Sequence, residues 1–468
     1  MRVAPKAPSK IEKLVKSQII TQERKYELIT PLFGGGVKAG EADPITTIRG
    51  SSIRGQLRFW WRACRGGAFA DLEQMKKAED AIWGTASKDK KGEKPASKVQ
   101  VFVKVKDHGK AVKPFEVIQK IKDGKPEYRN GKPIPQIKNI ENVAPSYAAF
   151  PLRPEQRTIY VNMPTTPIKE NVSFILEIKF PKDLQTDVEA ALWAWETFGG
   201  IGARTRRGFG AISLLSIDQK PVTLPAINNF ESFISQQLKK HVVDVVKWPS
   251  DLPHLTKNLA HKSVPRPNST KATDVWSYLI KTLKEFRQER NPGSKPNRPG
   301  RSRWPEPDYI RDLTGQHTSS HSPINKLNKF PRAAFGLPII FQFNPDDYNR
   351  NNPYDSSFDP RTTMLILSGS GIESDRLASP LILRPIKCSN GYVGLAAILE
   401  GTQRLLDNAQ VELKTNEATG TTQQKNESWP NLAVKLNTTE AGQILKPDNK
   451  TKLLGNETDV LKAFLNKL

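Results

Sequence analysis

A strand, a helix, one or more strands, a further strand, a second helix and a closing strand follow one another in the first 220 residues of this 468-residue chain. That order predicts an α+β sandwich of ferredoxin-like type. Three observations carry it. Apolar and polar residues alternate in KYELITPLF (25–33) and NVSFILEIKF (171–180). A helix from Thr186 to Phe198 bears Val188, Ala191, Leu192 and Trp195 on one side. Glycine pairs, Gly66-Gly67 and Gly199-Gly200, close both predicted helices.

Taken in order, residues 1–22 read as a flexible arm. The first strand ends at Pro31 and the turn run Gly34-Gly35-Gly36. A loop then leads into a helix from about Ser51 to Arg65, with Ser51 or Ser52 as N-cap. Residues 84–98 are Lys-rich and polar, a loop by composition, and VQVFVKV (99–105) alternates as a strand. Residues 106–150 have no firm periodicity and read, with 84–98, as an insertion lying over a surface. The Gly/Arg loop GGIGARTRRGFG feeds a strand at 211–217. In the second half, Asp274–Glu289 is an amphipathic helix with Val275, Leu279, Leu283 and Phe286 as its stripe. The Pro- and cation-rich run 291–307 cannot be regular. Strands are expected at 334–343, 362–368, 379–386 and 391–398, a polar loop at 414–455, and a short amphipathic helix in the closing DVLKAFLNKL.

Composition narrows the function. Lys and Arg number 72 against 48 Asp and Glu, so the formal charge is 72 − 48 = +24. A chain this basic seeks a polyanion. No run of about 18 apolar residues exists to span a membrane, and the basic opening lacks the apolar core of a secretion signal, so a cytoplasmic protein and a nucleic-acid partner are expected. Two cysteines, Cys64 and Cys388, fit a reducing compartment and form neither a disulfide framework nor a structural zinc site.

Two segments can carry the charge to a ligand. Arg49, Arg54, Arg58, Arg62 and Arg65 form a ladder, and the last four fall within an arc of about 80° on one helix face. No acid lies between Asp43 and Asp71 to pair with them locally. Guanidinia at one-turn spacing repel unless anions stand between them, and phosphates do that; carboxylates from elsewhere in the chain are the competing source. The second segment is Gly199–Gly210, where glycines at 199, 200, 202, 208 and 210 accompany Arg204, Arg206 and Arg207. It is no dinucleotide fingerprint, since a helix precedes it and a strand follows, and no P-loop, since Gly-Lys-Ser/Thr is missing. Arg207–Ile212 is similar to the RNP1 pattern of RNA-recognition motifs, with Phe209 available to stack, but Ala211 replaces the second aromatic.

PLFGGG, ITTIRGSSIRGQLRFWWRA and GGIGARTRRGFGAI, together with SRWPEPDYIR and FPRAAFGLPIIF, resemble the RAMP superfamily of CRISPR-associated proteins. Within it the resemblance is to the type III-B Cmr effector subunit that caps the complex at the 3′ end of the guide RNA. The resemblance implies tandem ferredoxin-like (RRM-like) domains with long basic insertions, one over 23–220 and a second, divergent one over 221–468. It also implies a non-catalytic, cofactor-free binder of guide and target RNA among sibling Cmr-type subunits. The RNA-contacting positions it implies are Arg49, Ser51, Arg54, Arg58 and Arg62, then Gly200, Gly202, Arg204, Arg206, Arg207, Gly208 and Phe209.

Arg298, Arg301, Arg303 and Trp304 have two readings: an arm on RNA with Trp304 stacked on a base, or an inter-domain strap with Trp304 in the core. Six histidines (108, 241, 254, 261, 317, 321) keep a metal-independent endoribonuclease open as the alternative function, provided one lies beside the glycine loop in space. His317 and His321 have i, i+4 spacing but lack the glutamate of a zinc helix. Asp346, Asp347, Asp355 and Asp359 sit in an Asn/Pro-rich stretch and read as solvated turns. A third reading is a protein-only scaffold whose basic face meets an acidic neighbour.

Overall fold

The computed structural model describes residues 18–36, 41, 43, 45–85, 96–157, 160–161, 166–245, 248–249, 252–266, 269–293, 300–324, 327–343, 355–360, 362–369, 375–401, 406, 411–415 and 428–468. The arm at 1–17, Arg298, Asp346, Asp347, residues 86–95 of the Lys-rich loop and 416–427 of the polar loop lie outside them.

The first strand, β1 (Ile19–Leu28), starts earlier than alternation predicted. Gln22 and Arg24 occupy inward positions and hide the pattern; Arg24 is buried because Nη1 meets Glu196 Oε1 at 2.8 Å, and Tyr26 Oη donates to the same carboxylate at 2.5 Å. After β1 come α1 (Gly50–Arg65), α2 (Leu72–Trp83), β2 (Gln100–Asp107), β3 (Ser173–Pro181), α3 (Gln185–Phe198), β4 (Ile212–Ile217) and the short β5 (Lys220–Pro221). They form one antiparallel sheet in the order β5-β4-β1-β3-β2. β1 and β3 pair in register from Ile19↔Pro181 to Glu27↔Ser173.

α1 and α3 cover the sheet. Trp60, Trp61 and Cys64 of α1 are buried against Ala190, Ala191 and Trp195 of α3, and Cys64 Sγ approaches the Ala190 carbonyl at 3.7 Å. α3 is buried nearly all round because Ile382, Val393, Leu395 and Ala397 of the second half join the same core. Helix α2 was not expected from sequence: its moment is carried by few buried positions, Met75, Glu79, Ile82 and Trp83.

The second half supplies α4 (Phe230–His241), β6 (His261–Pro265), α5 (Ala272–Arg287), α6 (Glu306–Thr314), β7 (Ile339–Phe341), β8 (Thr363–Leu367), β9 (Leu381–Cys388), β10 (Gly391–Ile398), β11 (Val411–Thr415), β12 (Ser428–Trp429), α7 (Thr438–Gln443) and α8 (Val460–Lys467). One sheet runs β6-β10-β9 and a second β7-β8-β11-β12, both antiparallel. The insertion is a long hairpin, Phe115–Gln119 paired with Pro135–Asn139, whose tip is exposed. Its base is not merely laid over a surface: Phe115 and Ile137 enter a core with Trp276, Leu279 and Phe209. Trp304 belongs to that core too, 1% exposed, with Nε1 donating to the Phe286 carbonyl at 2.8 Å. The strap reading of this tryptophan therefore replaces base stacking.

Candidate nucleic-acid interface

The glycine loop after α3 is built against the turn after β1. Gly210 N donates to Pro31 O at 2.9 Å, Ala203 N to Phe33 O at 2.7 Å, and Thr30 Oγ1 to Gly208 O at 2.7 Å. Gly202 has φ +83°, and a Cβ there would stand 2.5 Å from the Phe33 carbonyl oxygen. Gly208 has φ +86° and no room for a Cβ beside the Trp276 ring. These glycines serve close approach of the protein's own backbone, and a Cβ on Gly200 would likewise strike the Gly210 carbonyl. Sequence reasoning assigned that closeness to a ligand; the structure assigns it to the 31–36 turn at Gly202, to Trp276 at Gly208 and to the loop itself at Gly200.

The N-terminus of α1 opens beside this joint. Arg49 is the N-cap residue, and its Nη2 donates to Gly35 O at 2.6 Å. Ser51 and Ser52, expected as the cap, stand instead in the first turn with exposed side chains, as does Arg54. Among the described residues no side chain caps the helix, and no acid lies in its first turn. Ser52 N and Ile53 N turn back to the Arg49 carbonyl, so among the described residues the Gly50 and Ser51 amides are left unpaired at the positive end of the helix dipole, beside arginine. Lys169, paired across to Leu32, adds a cation through Thr47, whose hydroxyl it approaches at 3.2 Å. The nearby carboxylate of Asp43 accepts from the Thr46 and Ile45 amides, which hold it below the usual range, with Arg49 and Lys169 acting the same way. Sequence reasoning missed Lys169, because pairing in space with the turn has no local signal.

Further along α1 the ladder changes character. Arg58 Nε meets Glu79 Oε1 at 2.6 Å and its Nη2 meets Asp80 Oδ1 at 3.0 Å; Arg62 Nη1 shares Glu79 Oε1 at 2.5 Å. Arg65 Nε faces Asp187 Oδ1 at 3.4 Å. For Arg58, Arg62 and Arg65 the counterions are therefore the competing source, carboxylates from elsewhere in the chain, and the expected phosphate is not needed to separate them: α2 and α3 bring the acids from 17 or more residues away.

The loop arginines divide as well. Arg206 spans to the second half, donating Nη1 to Ser379 O at 2.5 Å with its guanidinium 5.6 Å over the Phe59 ring, and burial lowers its pKa to about 10. Arg207 Nη1 donates to Leu381 O at 2.8 Å, and burial with neighbouring arginines lowers it to about 9. Arg204 holds a left-handed conformation, φ +57°, and is exposed. Phe209, expected to stack on a base, is wholly buried between Phe33 (5.2 Å) and Trp276 (4.8 Å). Arg301 is tied to Asp308 at 2.7 Å and to Ser322 O, and Arg303 to Leu445 O at 2.7 Å and to Asn449 Oδ1, so both act as internal straps. Arg384 was not foreseen: fully buried, it donates to Gly199 O at 2.5 Å and Ile212 O at 2.9 Å, stapling both ends of the loop to β9.

The histidines have partners of their own. His108 Nδ1 meets Thr47 Oγ1, His241 stacks on Trp193, His254 on Trp248, His261 pairs with Glu231, and His317 Nδ1 meets Thr318 O. His321 Nδ1 lies 2.8 Å from Asp359 Oδ2. Asp359 is buried by its ion pair with Arg311 at 2.7 Å and is no solvated turn residue, whereas Asp355 accepts from Ser357 in a turn. Among the described residues no group of three or more His, Cys, Asp or Glu side chains is placed to hold a metal ion, and no helix is long and apolar enough to cross a membrane.

Residues 25–213 match the family model of the RAMP superfamily. Among curated proteins, the chain is 21% identical over 296 residues to CRISPR system Cmr subunit Cmr1-1 of Pyrococcus furiosus, covering 62% of this chain and 70% of that protein. It is 26% identical over 199 residues to Cmr subunit Cmr1-2 of the same organism, covering 40% of this chain and 91% of the relative. Among solved structures, Cmr1 from Pyrococcus furiosus in its apo form aligns over 82% of this chain and 88% of that one, with 15% identity and a TM-score of 0.41. A chain of the type III-B Cmr-beta complex bound to cognate target RNA aligns over 82% and 95%, with 14% identity and a TM-score of 0.47. The match to the RAMP superfamily model thus spans the sheet, the two helices on it and the glycine loop, and the chain is similar to Cmr1 proteins.

Proposed function

We propose that the chain is a non-catalytic, cofactor-free RNA-binding subunit of a type III-B CRISPR effector ribonucleoprotein in the cytoplasm, assembled with other Cmr-type subunits. It holds guide RNA in its 3′ region, and the paired target RNA, through backbone phosphates. The observation that carries this is the open N-terminal end of α1: uncapped N–H groups, exposed Ser51 and Arg54, and Arg49 pinned to the Gly35 carbonyl beside Gly202. Helix N-termini flanked by arginine suit phosphate oxygens. Such contacts read charge and spacing and leave sequence to base pairing, which accords with the +24 formal charge.

We read the architecture as two ferredoxin-like units, 23–220 and 221–468. β1, β2, β3 and β4 have the strand order 4-1-3-2 with helical crossovers, and β6, β9 and β10 around α5 repeat three strands of that order. The reading is tested by incubating the full chain with single-stranded RNA carrying a guide sequence, in EDTA. Salt-sensitive binding without specific cleavage is expected. Site-specific cleavage abolished by one His→Ala change would instead select the endoribonuclease, and affinity no greater than for an arbitrary acidic protein would select the scaffold.

A further inference from the structure

A second group of cations gathers where the glycine loop meets the second half of the chain. Arg207 and Arg287, the last residue of α5, flank Phe335: Arg207 Nη2 reaches its carbonyl at 3.5 Å and the Arg287 guanidinium stands 5.4 Å over its ring. Arg287 Nη1 donates to Tyr147 Oη at 3.0 Å. Burial lowers the pKa of Arg207, and the charges of Arg287 and Arg204 press the same way. Arg332 adjoins the group through the Arg287 carbonyl at 2.9 Å, but it keeps its own counterion, Glu306, at 3.0 Å.

The remaining balance is what singles the place out. Among the described residues none of Arg204, Arg207 and Arg287 has a carboxylate oxygen within 4 Å, although Glu306, the counterion of Arg332, also favours the charged form of Arg287, and the buried Nε of Arg287 has no hydrogen-bond partner. Like charges in a poorly solvated site repel strongly, and a buried donor left unmade is costly. Arg206 and Arg384 escape that cost by spending their N–H groups on carbonyls, and Arg207 does so in part through Leu381 O and Phe335 O; Arg287 Nε and the exposed Arg204 guanidinium remain available. Guanidinium forks beside a phenol hydroxyl match the oxygens of one tetrahedral anion. We propose that Arg204, Arg207, Arg287 and Tyr147 form a pocket for a single phosphate group, separate from the N-terminus of α1. The pocket deepens the reading above, on which it rests for the source of the phosphate: an internal phosphodiester of the bound strand or a phosphate at its end.

The test is arginine footprinting with phenylglyoxal on the full chain, read by mass spectrometry. The probes are inorganic phosphate and short RNAs ending in hydroxyl or in phosphate, and Arg129, exposed on the insertion hairpin, is the control. Several-fold protection of Arg204 and Arg287, with Arg129 unchanged, is expected from inorganic phosphate. Protection by every RNA identifies an internal phosphate, and protection only by phosphate-ended RNA a terminal one. Equal modification of Arg287 with all probes and with none overturns the pocket. Arg287→Gln should lower RNA affinity about tenfold, as loss of a charge-assisted bond does, and Arg287→Lys should restore most of it. A folded Arg287→Gln protein, checked by circular dichroism, with unchanged affinity and salt slope refutes the pocket as an RNA site. RNA binding by the wild type would then leave the proposed function standing. Phosphate protection in a chain that binds no RNA would do the reverse.

Discussion

The two ends of α1 carry the same residue type at nearly the same spacing and arrive at opposite chemistry. At the N-terminal end Arg49 holds a backbone carbonyl and Arg54 faces solvent. One turn on, Arg58 and Arg62 converge on Glu79, a carboxylate only 2% exposed. The difference comes from what packs alongside. α2 lies against the second half of α1 and presents Glu79 and Asp80, and Asp187 comes from α3. Helical spacing therefore identifies a charged face, whereas the counterions that decide its use come from other elements.

The comparison breaks most readily at Glu79. Glu79→Gln leaves two half-buried guanidinia without their shared partner and should cost about 3 kcal/mol in urea unfolding, within the range for breaking a buried pair, with RNA affinity unaltered. An unmoved unfolding midpoint would make the C-terminal end as free as the N-terminal one.

His241 probes the same end. Burial first, then Lys240 and Arg65, lower its pKa from 6.5 to about 4. Below about pH 6.5 the unfolded chain takes up a proton that the folded chain refuses until about pH 4. The contribution is therefore complete above pH 6.5 and declines as pH falls, by about 3 kcal/mol at 1.36 kcal/mol per pKa unit. His241→Gln should flatten this part of the stability profile between pH 6.5 and 4; an unchanged slope would show an imidazole that titrates normally.

Gly202→Ala tests the joint beside the N-terminal end. With φ at +83° and the Phe33 carbonyl in the way, the loop should lose about 2 kcal/mol, as strained non-glycine residues do, and RNA affinity should fall with it. A fully stable variant would mean that the two turns are not interlocked. Arg54→Gln should give the smallest change: the log–log salt slope of RNA binding falls by about 0.7, one phosphate contact on a single strand, and thermal stability stays as it was. An unaltered slope would put the strand elsewhere.

Much of the architecture was legible because it follows local periodicity. α1, α3 and α5 were readable from stripes that bury Leu57, Leu192 and Leu279, and β3 from strict alternation. β1 was cut short because Arg24 is an inward residue whose burial depends on Glu196, 172 residues away. The exposure of the candidate positions was legible only in part. Ser51, Arg54 and Arg204 are exposed and Arg49 partly so, but Phe209 and Trp304 are core residues, since an aromatic beside glycine or proline reads alike whether it faces solvent or a second sheet.

What the order of residues settles here is local: which segments wind or extend, that glycine must occupy 202 and 208, and that the chain as a whole is a polycation. Packing decided which arginines are neutralised and which stay available. A carboxylate, a carbonyl or an aromatic face reaches a guanidinium only across distances that folding closes, and energies at 3 Å depend on partners rather than on spacing along the chain.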